Sequence, residues 1–125
     1  MIYLNTKRTI IRDHCDEDLV THHALFSDKT AMYYLQDIAT NTMDESKVNL
    51  QNTMSEINKM NRKLYFLRME DRYTQEHIGE IGYTVTALTP VGKFVEMGYF
   101  IRQKFWSKGY TSEALRELIT DPICF

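Results

Sequence analysis

Cysteine is scarce, with only Cys15 and Cys124 in a chain of 125 residues. A small fold stapled by several disulfides is therefore excluded, and a reducing, cytoplasmic setting is expected. Proline occurs 2 times and glycine 5 times, which excludes collagen-like and Pro/Gly-rich low-complexity classes. Basic runs are missing too. The longest are the pairs Lys7-Arg8 and Arg62-Lys63, and 15 basic against 17 acidic residues give a net charge of −2. That balance disfavours electrostatic nucleic-acid binding. No stretch approaches the roughly 18 apolar residues of a membrane span. The N-terminus MIYLNTKRTIIRDH also lacks an apolar leader core, so no membrane partner is expected.

What is present is ordinary globular composition: 43% hydrophobic and 26% charged residues. A chain of this length buries about two thirds of its unfolded surface, enough for one core, so residues 1–125 read as one domain.

Residues 9–14 alternate, with Ile11 and Asp13 on one side and Ile10 and Arg12 on the other, and predict a first strand. The acidic DHCDED that follows suits a helix start. From Glu17 to Phe26, the residues Leu19, Val20, Ala24 and Phe26, with His23, approximate a helical stripe ended by Ser27-Asp28. A second short helix is expected over 30–38, grouping Tyr34, Leu35 and Ile38. The clearest local signal is Thr42-Met43-Asp44-Glu45, where a Thr hydroxyl and a Glu three residues later satisfy each other's free backbone N–H groups. A helix starting there should run to about residue 61, with Val48, Met54, Ile57 and Met60 on its apolar side and Asn, Gln, Ser and Lys on the other. Beyond it the period shortens. Residues 64–69, 77–88 and 94–101 read as an antiparallel meander, turned between the last two at Thr89-Pro90-Val91-Gly92-Lys93. Gly79, Gly82 and Gly98 inside strand patterns predict bulges or close approach of another backbone or a ligand. Residues 109–121 read as a final helix stopped by Pro122.

The segment FVEMGYFIRQKFWSKGYTSEAL, residues 94–115, reads as a strand, a short glycine-containing loop and a helix. Such a junction aims unpaired N–H groups and the positive end of a helix dipole at one point, which suits an anion. Gly109 permits close approach of a phosphate, and Lys104 and Lys108 add positive charge. On loop chemistry alone, many such junctions bind nothing. The Walker and dinucleotide glycine patterns are both absent, which disfavours a nucleoside triphosphatase or a dehydrogenase.

Several stretches together resemble the GNAT superfamily of acetyl-CoA-dependent N-acetyltransferases. They are Glu96-Met97-Gly98-Tyr99 and Phe105-Trp106-Ser107-Lys108-Gly109-Tyr110-Thr111-Ser112-Glu113-Ala114-Leu115, with Thr6 to Arg12 as an opening and Ile78-Gly79 and Ile81-Gly82 in a strand. The branch most similar is that of ribosomal-protein-alanine N-acetyltransferases. The resemblance implies an α+β fold: a mixed, mainly antiparallel sheet flanked by helices. It implies acetyl-CoA as co-substrate and a primary amine as acceptor. Backbone groups of Phe100 and Ile101 would pair with the pantetheine arm. The loop Lys104-Phe105-Trp106-Ser107-Lys108-Gly109, with Tyr110 and Thr111, would hold the pyrophosphate. In it Ser107 stands where the family pattern has its first glycine.

By the same resemblance, a base takes a proton from the acceptor ammonium and a backbone N–H steadies the oxyanion. Glu96 is the first candidate base and Glu80 the second. Tyr33 and Tyr34 are candidates for the acceptor pocket. The family continues beyond its third main helix with further strands, whereas this chain ends at Phe125. The strand over 94–101 would then be an edge, and a homo-oligomer is expected to cover it. The alternative reading is a non-catalytic remnant of the fold that binds coenzyme A or associates with partners.

No metal is expected. His14 and Cys15 are adjacent, as are His22 and His23, whereas zinc ligands are usually separated by two to five residues. Nothing in the sequence lowers the Cys15 pKa, so it reads as a structural thiol.

Overall fold

The computed structural model describes residues 2–120. Five strands form one sheet in chain order, every pairing antiparallel: β1 (Tyr3–Asn5), β2 (Thr9–Arg12), β3 (Leu64–Asp71), β4 (His77–Thr89) and β5 (Gly92–Ile101). Among the described residues three α-helices accompany it: α1 (Leu19–Phe26), α2 (Met43–Ser55) and α3 (Tyr110–Thr120). The expected meander is present as β3, β4 and β5. Its last turn closes where Thr89 pairs with Gly92, whose φ of +143° favours glycine.

Successive side chains on a strand point to opposite faces, and here the two faces differ in chemistry. Register places Ile11 beside Met69, and Leu67 beside Ile81. These residues form the buried core with Ala114 and Leu118 of α3. The opposite face carries Arg12 beside Arg68, and Arg68 beside Glu80. There Arg12 donates to both carboxylate oxygens of Asp18 at 3.0 and 2.8 Å, and Arg68 donates to Thr21 of α1 at 2.7 Å. Thus α3 covers an apolar face and α1 a charged one.

Several expectations are corrected. The strand expected over 9–14 ends at Arg12, and a preceding strand, β1, pairs with it. Three residues are too few to show a period. On α1 the buried residues are His22, Leu25 and Phe26, while Val20 is 69% exposed. The stripe is rotated because α1 faces a polar sheet surface. Residues 30–38 form consecutive turns rather than a helix, with Leu35 N–H bonded to the Met32 carbonyl and Ile38 N–H to that of Leu35.

The capping box at Thr42 and Glu45 forms as expected. However, α2 ends at Ser55, and of its expected apolar side Met54 and Ile57 are half-buried while Val48 is exposed and Met60, beyond its end, is 98% exposed. Ser46 and Leu50 are buried instead. Ser46 and Asn49 face inward because His23 and His22 of α1 hydrogen-bond to them at 2.7 and 2.8 Å. Gly82 meets the expectation of close approach, since an added Cβ would lie 2.6 Å from the Tyr65 carbonyl. Pro122 and Cys124 lie outside the described residues. No helix among the described residues is long and apolar enough to cross a membrane.

Candidate active site

A cavity of about 420 Å³ opens on the charged face of the sheet, between β4–β5 and the segments carrying Phe26, Leu35, Ile38, Asn49 and Thr53. Its floor follows from register. Gly82 and Gly98 stand directly opposite each other, flanked along the strands by the pair Glu80 and Phe100 and by the pair Thr84 and Glu96. A Cβ added to Gly98 would meet nothing within 4 Å, so the absence of side chains here leaves open space. Phe100 closes one end, its ring edge-to-face with Phe26 at 5.1 Å.

Glu80 is buried beside three histidines. His14 Nδ1 has no partner among the described residues, and its Nε2–H donates to the two Glu80 oxygens at 3.0 and 2.9 Å. His22 Nδ1 lies 3.2 Å from Oε1, and His77 Nε2 lies 3.4 Å from the same oxygen. Burial alone would raise the Glu80 pKa, but the charge and hydrogen bond of His14, with the bonds to His22 and His77, hold it well below the usual carboxylate range. For His14 burial opposes protonation, and Glu80 outweighs it to give a net upward shift.

Adjacency in sequence did not keep these groups apart, because each adjacent pair contributes one member. His14, His22 and Glu80 present ligand-type atoms within 4.8 Å of one another. Cys15 and His23 turn elsewhere. The atoms that bond to one another here, His14 Nε2, His22 Nδ1 and the Glu80 oxygens, are the same atoms a cation would take. The Cys15 pKa is raised, first by burial, in keeping with a structural thiol.

Beyond the Phe100 end of the cavity, the chain passes through a 3₁₀ turn, Gln103–Phe105, into the loop before α3. Ser107 has φ +60° and Gly109 φ +79°, so two left-handed residues reverse the chain within three positions. Among the described residues, the N–H groups of Ser107, Lys108 and Gly109 donate to no partner. The first-turn N–H groups of α3 follow directly, and helix geometry leaves such groups without internal acceptors.

Arg8 from the β1–β2 turn lies against this loop. It donates to the Lys108 carbonyl at 2.9 Å, pairs with Glu113 at 3.1 Å and stacks over Tyr110 at 4.2 Å. Glu113 is held low: burial would raise its pKa, but bonds from Thr6 and Arg8 lower it. Sequence reasoning counted Arg8 in an opening motif and missed it as a loop residue, because its partner lies at a sequence separation of 105.

The expected site residues are distributed as follows. Glu96 is exposed and lines the cavity. Phe100 lines the same cavity, while the Ile101 carbonyl accepts the Trp106 indole N–H at 2.9 Å. Phe105 is buried, its ring edge-to-face with Tyr110 at 5.5 Å. The Lys104 ammonium pairs with Glu76, whose pKa is lowered chiefly by that bond. Lys108 is exposed and Thr111 half-buried. Tyr33 and Tyr34 do not line this cavity. The turns over 30–38 point Leu35 and Ile38 inward, leaving Tyr34 90% exposed and Tyr33 beside a separate hollow.

Comparison with known proteins adds the following. The sequence model described as "Acetyltransferase (GNAT) domain" matches residues 8–121. No curated protein matches the chain. Among solved structures, an acetyltransferase of the GNAT family from Bacillus anthracis superposes with a TM-score of 0.73 at 20% identity, over 94% of this chain and 64% of that one. An acetyltransferase from Salmonella typhimurium that modifies the N-terminal serine of ribosomal protein L7/L12 gives 0.68 at 19% identity, over 92% and 63%. RimL, a ribosomal L7/L12 alpha-N-protein acetyltransferase in complex with coenzyme A, gives 0.75 at 16% identity, over 95% and 66%. At these identities the likeness is one of fold, and the chain spans about two thirds of each structure's length.

Proposed function

The chain belongs to the GNAT acetyltransferases, and on that premise we propose that it transfers an acetyl group from acetyl-CoA to a primary amine. The observation that carries this reading is an anion-ready loop that follows directly in the chain on the strand whose Glu96, Gly98 and Phe100 line the cavity. The loop offers free N–H groups at Ser107, Lys108 and Gly109, with Arg8 alongside. These groups suit a pyrophosphate. Gly109 admits it closely, since the space a Cβ would take is open except for Arg8 Nη2 at an ordinary contact distance of 3.5 Å. The similar RimL structure holds coenzyme A, which supports the same ligand here.

Glu96 serves as the base. It stands on β5 in the cavity, and its carboxylate has no hydrogen bond or ion pair among the described residues. Glu80, the second candidate, is a poor proton acceptor because its pKa is held low by its histidines. The acceptor ammonium loses a proton to Glu96. The freed amine nitrogen then attacks the thioester carbonyl carbon; as the carbon–sulfur bond breaks, the nitrogen's second proton passes to the departing sulfur to release the thiol, and the first proton leaves Glu96 to solvent. Backbone N–H groups of the exposed β5 edge steady the oxyanion.

Thermal unfolding with millimolar acetyl-CoA tests the reading. Ligand at 100 times its Kd should add about 2.7 kcal/mol, and Gly109→Asp should remove that gain through bulk and charge. Unchanged melting of the wild type contradicts coenzyme binding. Glu96→Gln should lower kcat about 100-fold or more with coenzyme affinity unchanged.

A further inference from the structure

Resting on that reading, we infer that the acceptor is a small monoamine carried on a flat apolar body and bearing no second charge. The charged groups lining the cavity are the two acids Glu80 and Glu96 and the histidines His14 and His22; no Lys or Arg lines it among the described residues. An acceptor with its own carboxylate or phosphate would meet no cation and would face a carboxylate. Free amino acids and nucleotides are disfavoured on that ground.

Polycations are disfavoured for a separate reason. The Glu80 charge is already satisfied by the histidines at 2.9–3.4 Å, so Glu96 is the single carboxylate left to pair with an ammonium. A second or third ammonium of a polyamine would enter an apolar space unpaired, which is costly.

The shape of the floor specifies the rest. Register lines up Phe66, Gly82 and Gly98 across three strands. Phe66 covers Gly82, its Cδ1 2.9 Å from where a Cβ would stand, whereas the space over Gly98 is open. A ring can therefore lie on the bare backbone of Gly98 beside Phe66, with Phe100 and Phe26 at one end. Glu96 stands two residues along β5 from Gly98, about 7 Å at strand rise. That separation suits an amine joined to its ring by a short carbon spacer. A volume of about 420 Å³ falls at the small end of ligand pockets.

The test is an amide NMR titration of the full chain with phenethylamine, 2-phenylethanol, phenylalanine, spermidine and a short peptide with a free N-terminus. Phenethylamine is expected to shift the Gly82 and Gly98 amides, with the other probes binding at least about 5-fold more weakly, the worth of one exposed ion pair. Gly98→Val should abolish the phenethylamine shifts while leaving the melting temperature unchanged, since its Cβ position is open. Glu96→Gln should weaken phenethylamine about 5-fold and leave 2-phenylethanol unaffected. Tighter binding of spermidine, phenylalanine or the peptide overturns the inference, as does a phenethylamine response that survives Gly98→Val. Calorimetry with acetyl-CoA on the same sample separates the two readings: lost coenzyme binding with intact amine binding overturns the transferase, and the reverse pattern overturns the monoamine acceptor.

Discussion

The two faces of the sheet solve the burial problem in different ways. Under α3, the residues Ile11, Leu67, Met69 and Ile81 meet Ala114 and Leu118 without a charged group among them. Under α1, the buried groups include Arg68, Glu70, Glu80, Asp18 and His22. Apolar burial is non-directional and tolerates small displacements of its members. Buried charges fix atoms, because each one displaced from its partner loses its compensation. The cavity opens on the charged face, so the face that holds atoms in place is also the face that could meet an acceptor.

The largest expected effect is on that face. Asp18→Ala removes the partner of Arg12 at 2.8 Å and of Arg68 at 3.6 Å, and should cost about 3–5 kcal/mol in urea unfolding. On the apolar face, Leu67→Ala should cost about 2–4 kcal/mol from lost burial and a cavity. A near-neutral Asp18→Ala beside a costly Leu67→Ala would break the contrast.

Acid should separate the faces more finely. Burial would raise the Asp18 pKa, but the Arg12 hydrogen bond, the Cys15 N–H and the charges of Arg68 and Arg12 together outweigh it and the net shift is downward. A carboxyl depressed in this way contributes stability above its unfolded pKa of about 3.9 and loses it as pH falls through the lower folded value. Wild-type stability should therefore decline below about pH 4 more steeply than that of Asp18→Asn, with no difference in slope above about pH 5. Leu67→Ala should displace the whole curve without changing its slope.

The smallest effect belongs to the loop. Ser107 holds φ +60°, a conformation costing a residue with a Cβ about 1 kcal/mol. Ser107→Gly should raise stability by up to about 1 kcal/mol, and it should tighten coenzyme binding by removing the Cβ where the family pattern has glycine. A destabilised Ser107→Gly would show that the Ser side chain has a positive role.

The contrast between faces also explains what could be read from the sequence. The meander and α3 were legible because Leu67, Met69, Ala114 and Leu118 follow the periods of apolar burial. The start of α2 was legible because its capping box is local. The inward faces of α1 and α2 were not, because His22, Ser46 and Asn49 face inward through hydrogen bonds rather than apolarity. The His14–Glu80 contact spans a sequence separation of 66, beyond any local pattern. The loop residues were singled out from the strand–loop–helix pattern and the family resemblance, while Arg8, brought in from the first hairpin, was not.

The central claim is that coenzyme occupies the loop before α3 while the charged face stays as it is. Amide hydrogen exchange with and without saturating acetyl-CoA tests it most directly. The account predicts slowed exchange across residues 99–112 and unchanged exchange across β2 and β3. Equal exchange throughout residues 99–112, or protection confined to the charged face, would contradict it.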